Sequence, residues 1–252
     1  MKIRWHSTAA IEIENSTGRI IFDPFVPLHG ADNKVDISEY DNFDAIFITH
    51  GHFDHISDIP KIYKRNPHIK VYCTATPYNS LKRDGVSEDN LILISYGESY
   101  EVNGFKIKTY HGRHSILPKV SSAILSRMLK SPYKNNLPYI TKLHRKLPEN
   151  EETVFFTVEA DSKVASIMGS MNLRDDIIYP TESDILILPY NGWSDNFPPA
   201  VRVIERLKPK KVFLDHYDDA FPPLTSKLDL SPILNKYPGI VTPMTPGKTE
   251  TV

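Results

Sequence analysis

Thr49-His50-Gly51-His52-Phe53-Asp54-His55-Ile56 follows the compact apolar run Asp44-Ala45-Ile46-Phe47-Ile48, and its reading decides the fold. A short run of this kind is consistent with a strand buried on both faces. Extended residues two apart point the same way, so His50 and His52 can face one metal ion together. Asp54 and His55 enter a helix start signalled by Ser57-Asp58-Ile59-Pro60, where successive side chains diverge by about 100°. They can therefore reach a second point beside the first. Imidazole and carboxylate donors suit zinc, manganese or iron. Gly51 permits unusual backbone angles or a close approach in the loop.

Outward from this stretch, Thr8–Glu14 alternates, Ser16-Thr17-Gly18 turns, and Arg19–Phe22 continues as a short apolar strand, a hairpin pattern. Further strands are expected at 69–74, 91–95, 105–110, 153–159, 163–168, 184–188 and 211–215, with helices near 78–84, 198–207 and 226–236. Strands with interspersed helices in both halves suggest stacked sheets with helices outside, an α/β (α+β) architecture.

Of 252 residues, Lys and Arg contribute 30 and Asp and Glu 31, a formal net charge of -1. That balance argues against a general nucleic-acid-binding face. The single cysteine, Cys73, sits in Val71-Tyr72-Cys73 and reads as a buried strand residue, with no electropositive setting for a catalytic thiol. Met1-Lys2-Ile3-Arg4-Trp5 runs straight into a strand pattern, and no stretch is long and apolar enough to span a bilayer, so a cytoplasmic protein is expected.

Thr49–Ile56 resembles the central His-x-His-x-Asp-His signature of the metallo-β-lactamase superfamily, which it matches without a gap. The resemblance implies a four-layer αβ/βα sandwich: two mixed β-sheets flanked by helices, with metal at one edge. It also implies later histidine ligands. Phe105–Tyr110 is the strand expected before one of them, and both His111 and His114 follow it. Arg113-His114-Ser115 is similar to the subgroup that includes L-ascorbate-6-phosphate lactonase, which favours His114, with His111 as alternative or supporting partner. Lys211–Asp218 is similar to the subgroup's strand ending in His-Tyr-Asp and points to His216. Asp23, in Ile21-Phe22-Asp23-Pro24, is either the subgroup's carboxylate behind a metal-bound histidine or the start of a turn; His6 in Trp5-His6-Ser7 is site-lining or structural. His29, His68 and His144 match no landmark and read as surface or loop residues, and Tyr190-Asn191-Gly192-Trp193 as a loop near the rim.

One departure matters. The family's metal-bridging aspartate follows a Gly after a strand of the second half, but Lys163–Met168 is followed by Gly169-Ser170. His50, His52 and His114 still make an open three-ligand site, whereas Asp54, His55 and His216 lack the shared anion. One firm ion is expected, zinc first, with the second weak, absent, or supported by Asp175 or Asp176.

Residues 117–148 form a basic insertion: Lys119, Arg127, Lys130, Lys134, Lys142, Arg145 and Lys146 with no acidic residue. Ile124, Leu125, Met128 and Leu129 recur at helical spacing, and Pro132 and Pro138 interrupt. A surface insertion packed on the core and a lid favouring anionic substrates are both consistent with this; a membrane-surface segment is less so. The resemblance thus implies a single domain, 1–252, that hydrolyses a small anionic ester, lactone or phosphodiester, with Asp54 as catalytic carboxylate and Arg113 available to the substrate's charge. A nuclease, a mononuclear iron oxygenase and a weakened binding protein remain alternatives, and assembly as a homo-oligomer stays open.

Overall fold

The computed structural model describes residues 1–115, 122–147, 152–191 and 195–252. Lys119, Gly192, Trp193 and the side chain of Ile124 lie outside the described residues. The first sheet takes β1 (Lys2–Trp5), β2 (Ile11–Glu14), β3 (Arg19–Phe22), β4 (Ala45–Phe47), β5 (Lys70–Cys73) and β6 (Leu91–Leu93). The second takes β7 (Ser99–Val102), β8 (Phe105–His111), β9 (Val154–Ala160), β10 (Lys163–Met168), β11 (Ile185–Pro189), β12 (Lys211–Asp215) and β13 (Val241–Pro243). The last strand, β14 (Thr249–Thr251), returns to the first sheet beside β1.

The two sheets share one plan. In each, three antiparallel pairings pass into three parallel ones: β14-β1-β2-β3 and then β4-β5-β6, against β7-β8-β9-β10 and then β11-β12-β13. Strand alternation explains the layering. Ile20 and Phe22 of β3, Phe47 of β4, Phe156 of β9 and Ile185 and Ile187 of β11 meet between the sheets. Their neighbours Ile21, Ile46, Leu186 and Leu188 point outward under helices. Strands covered on both faces carry continuous apolar runs, which is why the region after Asp44 shows no polar alternation.

The outer layers are amphipathic helices. Over the first sheet lie α1 (Phe53–Ile56), α2 (Ile59–Arg65) and α3 (Ala75–Arg83), joined by α5 (Leu137–Lys146) of the insertion, through Phe53, Ile59, Ile62, Leu81, Ile140 and Leu143. Over the second lie α6 (Phe197–Leu207), burying Ala200, Val203, Ile204 and Leu207 at helical spacing, and α7 (Ser231–Lys236). The expected four-layer sandwich is present. α7 begins five residues later than the 226–236 pattern suggests, because Pro232 occupies its first turn and disfavours helix before it. The insertion's other helix, α4 (Ser122–Lys130), departs from its expected apolar stripe: Met128 is buried, but Leu125 and Leu129 are 49% and 55% exposed.

The topology gathers one edge. β3 and β4 run parallel, and β8, β10, β11 and β12 share a direction, so the segments beginning at Asp23, Ile48, Gly112, Gly169 and His216 all leave from strand C-termini.

Candidate metal centre

Two triads form where these segments converge. His50, His52 and His114 make one, and Asp54, His55 and His216 the other; in each, the prospective ligand atoms lie within 4.8 Å of one another. The rings of His52 and His114 are 4.4 Å apart, those of His50 and His114 5.1 Å, and His50 stands only 3.9 Å from His55 across the two triads. His52 has extended backbone (φ -67°, ψ 155°) as the residue before α1, so His50 and His52 face together as the spacing suggested, and α1 then turns Asp54 and His55 inward.

The ring nitrogens are assigned by what they face. His114 Nδ1 is 2.6 Å from the Ser115 carbonyl. A carbonyl only accepts, so Nδ1 carries the proton and Nε2 is left to a ligand. His55 Nδ1 lies 2.8 Å from Asp23 Oδ2. The same carboxylate accepts from the Thr49 backbone N–H at 2.8 Å and from Thr49 Oγ1 at 2.5 Å. With its hydrogen directed at Asp23, Thr49 Oγ1 can accept from His50 Nδ1 at 3.0 Å. A fully buried Asp23 thus orients two histidines, one directly and one through Thr49.

The electrostatics suit a cation. Burial, then the neighbouring imidazoles, hold His50 well below the usual histidine range. Burial also takes His52 down to about 3, although Asp54 opposes it. Neutral imidazoles are what a divalent ion requires. Burial would raise the Asp54 carboxyl and lower His216, but their mutual contact outweighs it in both: Asp54 stays below the carboxylate range, helped by His55, and His216 rises to about 9. Their Oδ2 to Nε2 separation is 3.3 Å. Imidazole and carboxylate donors grouped in this way fit a divalent metal.

Several expectations need correcting. His111 is not part of either triad: β8 continues through it, paired with Val154, and its ring stacks on Tyr96 at 4.0 Å. The chain turns into the site only afterwards, at Gly112, whose N–H bonds to the Thr153 carbonyl. His6 is structural, with Nε2 2.9 Å from Glu12 Oε2 and its ring against Tyr40. Asp175 and Asp176 are 87% and 63% exposed and pair with Arg206 and Arg174, so neither replaces a bridging acid. Gly51 has no left-handed φ, and a Cβ there would meet its nearest atoms at 3.6 Å, so neither reason given for it applies. Arg113 is exposed beside His114.

Some supporting residues carried no clear sequence signal. Asp218 accepts from Ser7 Oγ at 2.6 Å and from the Thr8 N–H, while the Thr8 carbonyl accepts the His216 N–H. Thr8, Asp23 and His216 all have left-handed φ, of 46°, 46° and 59°, a conformation that costs non-glycine residues energy and is held here by surrounding bonds. His144, read as a surface or loop residue, is exposed on α5, with its ring 4.8 Å from that of Phe53. Lys142, Arg145 and Lys146 are on the exposed side of the same helix, away from Ile140 and Leu143.

The family model for a "Beta-lactamase superfamily domain" matches residues 18–217, which includes both triads. The chain belongs to this superfamily. Its relatives within the superfamily include a UPF0173 metal-dependent hydrolase of Thermoplasma volcanium, 28% identical over 221 residues that cover 86% of this chain and 84% of that protein. Another UPF0173 metal-dependent hydrolase, from Saccharolobus solfataricus, is 29% identical over 119 residues, 45% of this chain and only 51% of its own length. The metallo-β-lactamase fold protein YhfI from Bacillus subtilis superposes with a TM-score of 0.66 at 13% identity, over 99% of this chain and 98% of that one, a likeness of fold.

Proposed function

We propose that this superfamily member is a metal-dependent hydrolase of small anionic esters, lactones or phosphodiesters, within the general range of the L-ascorbate-6-phosphate lactonase-like enzymes. The observation that carries the reading is the convergence of His114 and His216, from distant strands, with the 50–55 segment into two triads of donors, of which only His52 and His114 are less than fully buried. His50, His52 and His114 would hold the ion, zinc first and manganese or iron next, and leave one position open. A divalent ion there supplies a water whose pKa falls from about 15.7 to about 7, and polarises the attacked oxygen.

The chain's own groups do the rest. Asp54, kept ionised by His55 and His216, is the anionic acceptor placed to orient the attacking water or take its proton. Asp23 and Ser115 hold His55 and His114 with Nε2 directed away from their supporting bonds. Arg113 is the exposed cation adjoining His114, suited to a substrate carboxylate or phosphate. Within the 117–148 insertion, the described residues 122–147 belong to the same single domain as a cover beside the site, a reading supported by His144 against Phe53. A cytoplasmic setting is part of the proposal; among the described residues no helix is long and apolar enough to cross a membrane.

The test is hydrolysis of mono-p-nitrophenyl succinate, a γ-lactone bearing a carboxylate and bis(p-nitrophenyl) phosphate before and after chelation. Turnover that chelation abolishes and zinc or manganese restores, and that His114→Ala lacks, is expected. Metal-replete protein inert toward all three would overturn the proposal.

A further inference from the structure

The two triads hold little negative charge: five of the six candidate ligands are histidines, and Asp54 is the one carboxylate. Asp23 is bonded to His55 Nδ1, and Asp218 is engaged by Ser7, Thr8 and Asn33. Ions in both triads would stand close together, since His50 and His55 have ring centroids 3.9 Å apart. Two dications at such separation repel strongly unless an anion lies between them. The loop after β10 enters this region: a Cβ on Gly169 would fall 1.9 Å from Thr49 Oγ1, so its backbone presses on the strand end that carries His50. The next side chain is Ser170, buried and uncharged.

Its hydroxyl has other partners. Ser170 Oγ accepts the Ser115 N–H at 2.8 Å and donates to Ser115 Oγ at 3.1 Å. The Ser115 carbonyl in turn receives His114 Nδ1. Asn172, just beyond, donates to the His114 carbonyl at 3.2 Å. The loop therefore clamps the His114 segment and contributes no charge.

We propose that Ser170 is a positioning residue for His114, and that its use there leaves no anion between the two triads, so that a second ion binds distinctly more weakly than the first. The inference rests on the metal-dependent reading above.

Zn²⁺ and Co²⁺ titrations of the chelated full-length protein test it, with a chromophoric competitor for affinity and the cobalt absorption bands for coordination. Two separated steps are expected, the second weaker by about tenfold or more. Ser170→Ala weakens the step that fills the His114 triad about 10–100-fold and alters its cobalt bands, whereas Ser170→Thr, which keeps the hydroxyl, restores both. Ser170→Asp draws the second step toward the first. Two equivalents bound with equal affinity by the unaltered protein would overturn the inference, as would two steps that Ser170→Ala leaves unmoved. Should Ser170→Asp fail to fold, those two measurements still decide. Protein that binds no ion at all would instead remove the metal-dependent reading itself.

Discussion

Asp23 Oδ2 sits 2.8 Å from His55 Nδ1, and the same carboxylate takes both the N–H and the hydroxyl of Thr49. One buried acid thereby connects β3 to the segment that leaves β4, and sets the tautomer of a candidate ligand histidine. Asp23→Asn keeps the shape but presents an amide that cannot accept all three bonds. Zinc affinity is expected to fall about 10–100-fold, measured by competition titration. Unchanged affinity would show that His55 is oriented by something else.

The metal-free protein should have a distinctive pH profile. His52 falls from 6.5 to about 3, so between those values the unfolded chain binds a proton that the folded chain refuses. Stability is therefore lost as pH drops from 6.5 toward 3. His216 has the opposite sign: raised from 6.5 to about 9, its contribution is complete below 6.5 and disappears as pH rises through 9. Thermal melts of chelated protein should peak near neutrality, and His216→Asn should flatten the alkaline side. An alkaline side that His216→Asn leaves as steep would contradict the Asp54–His216 pairing.

Metal removal itself should lower stability, because the ion binds the folded triads and not the open chain. At free zinc 100 times its dissociation constant the gain is about 2.7 kcal/mol, read as a concentration-dependent rise in melting temperature. A melting temperature indifferent to zinc would mean that the triads do not hold it.

Four of the six candidate ligands were legible because their spacing expresses geometry that local backbone rules dictate, period two for His50 and His52 and a helix start for Asp54 and His55, whereas His114 and His216 were legible only through the resemblance. The sheets were legible because doubly covered strands are continuously apolar. What holds these residues was legible only in part. The resemblance offered Asp23 as a carboxylate behind a metal-bound histidine, but not its bonds to Thr49 across 26 positions of sequence or that of Ser7 to Asp218 across 211; no local pattern encodes such pairs. His111 and His114 follow the same strand, and only the ladder's continuation to Val154 separates their roles. The stripe on α4 misled because helical spacing shows which residues share a face but not whether that face meets the core.

Two glycines should respond oppositely to alanine. Gly51 has an ordinary φ, and a new Cβ would meet nothing closer than 3.6 Å, so Gly51→Ala should be tolerated. At Gly169 the Cβ would stand 1.9 Å from Thr49 Oγ1 and 2.2 Å from Thr49 Cβ, and Thr49 cannot retreat without leaving Asp23. Overpacking of this kind costs about 1–3 kcal/mol. Denaturant unfolding with zinc titration should show both stability and affinity falling in Gly169→Ala alone.

The insertion's attachment can be tested where it touches the core. Ile140 is 3% exposed and packs with Leu143 under α5 against the outer face of the first sheet, beside Phe53 of α1. Ile140→Ala should cost about 2–5 kcal/mol in denaturant unfolding and hasten proteolysis within 131–147. Tyr139, its neighbour, is 43% exposed. Tyr139→Ala should stay within about 0.5 kcal/mol of the unaltered protein. Equal effects at the two positions would mean that α5 does not rest on this core, and the insertion would then have no fixed place from which to cover the site.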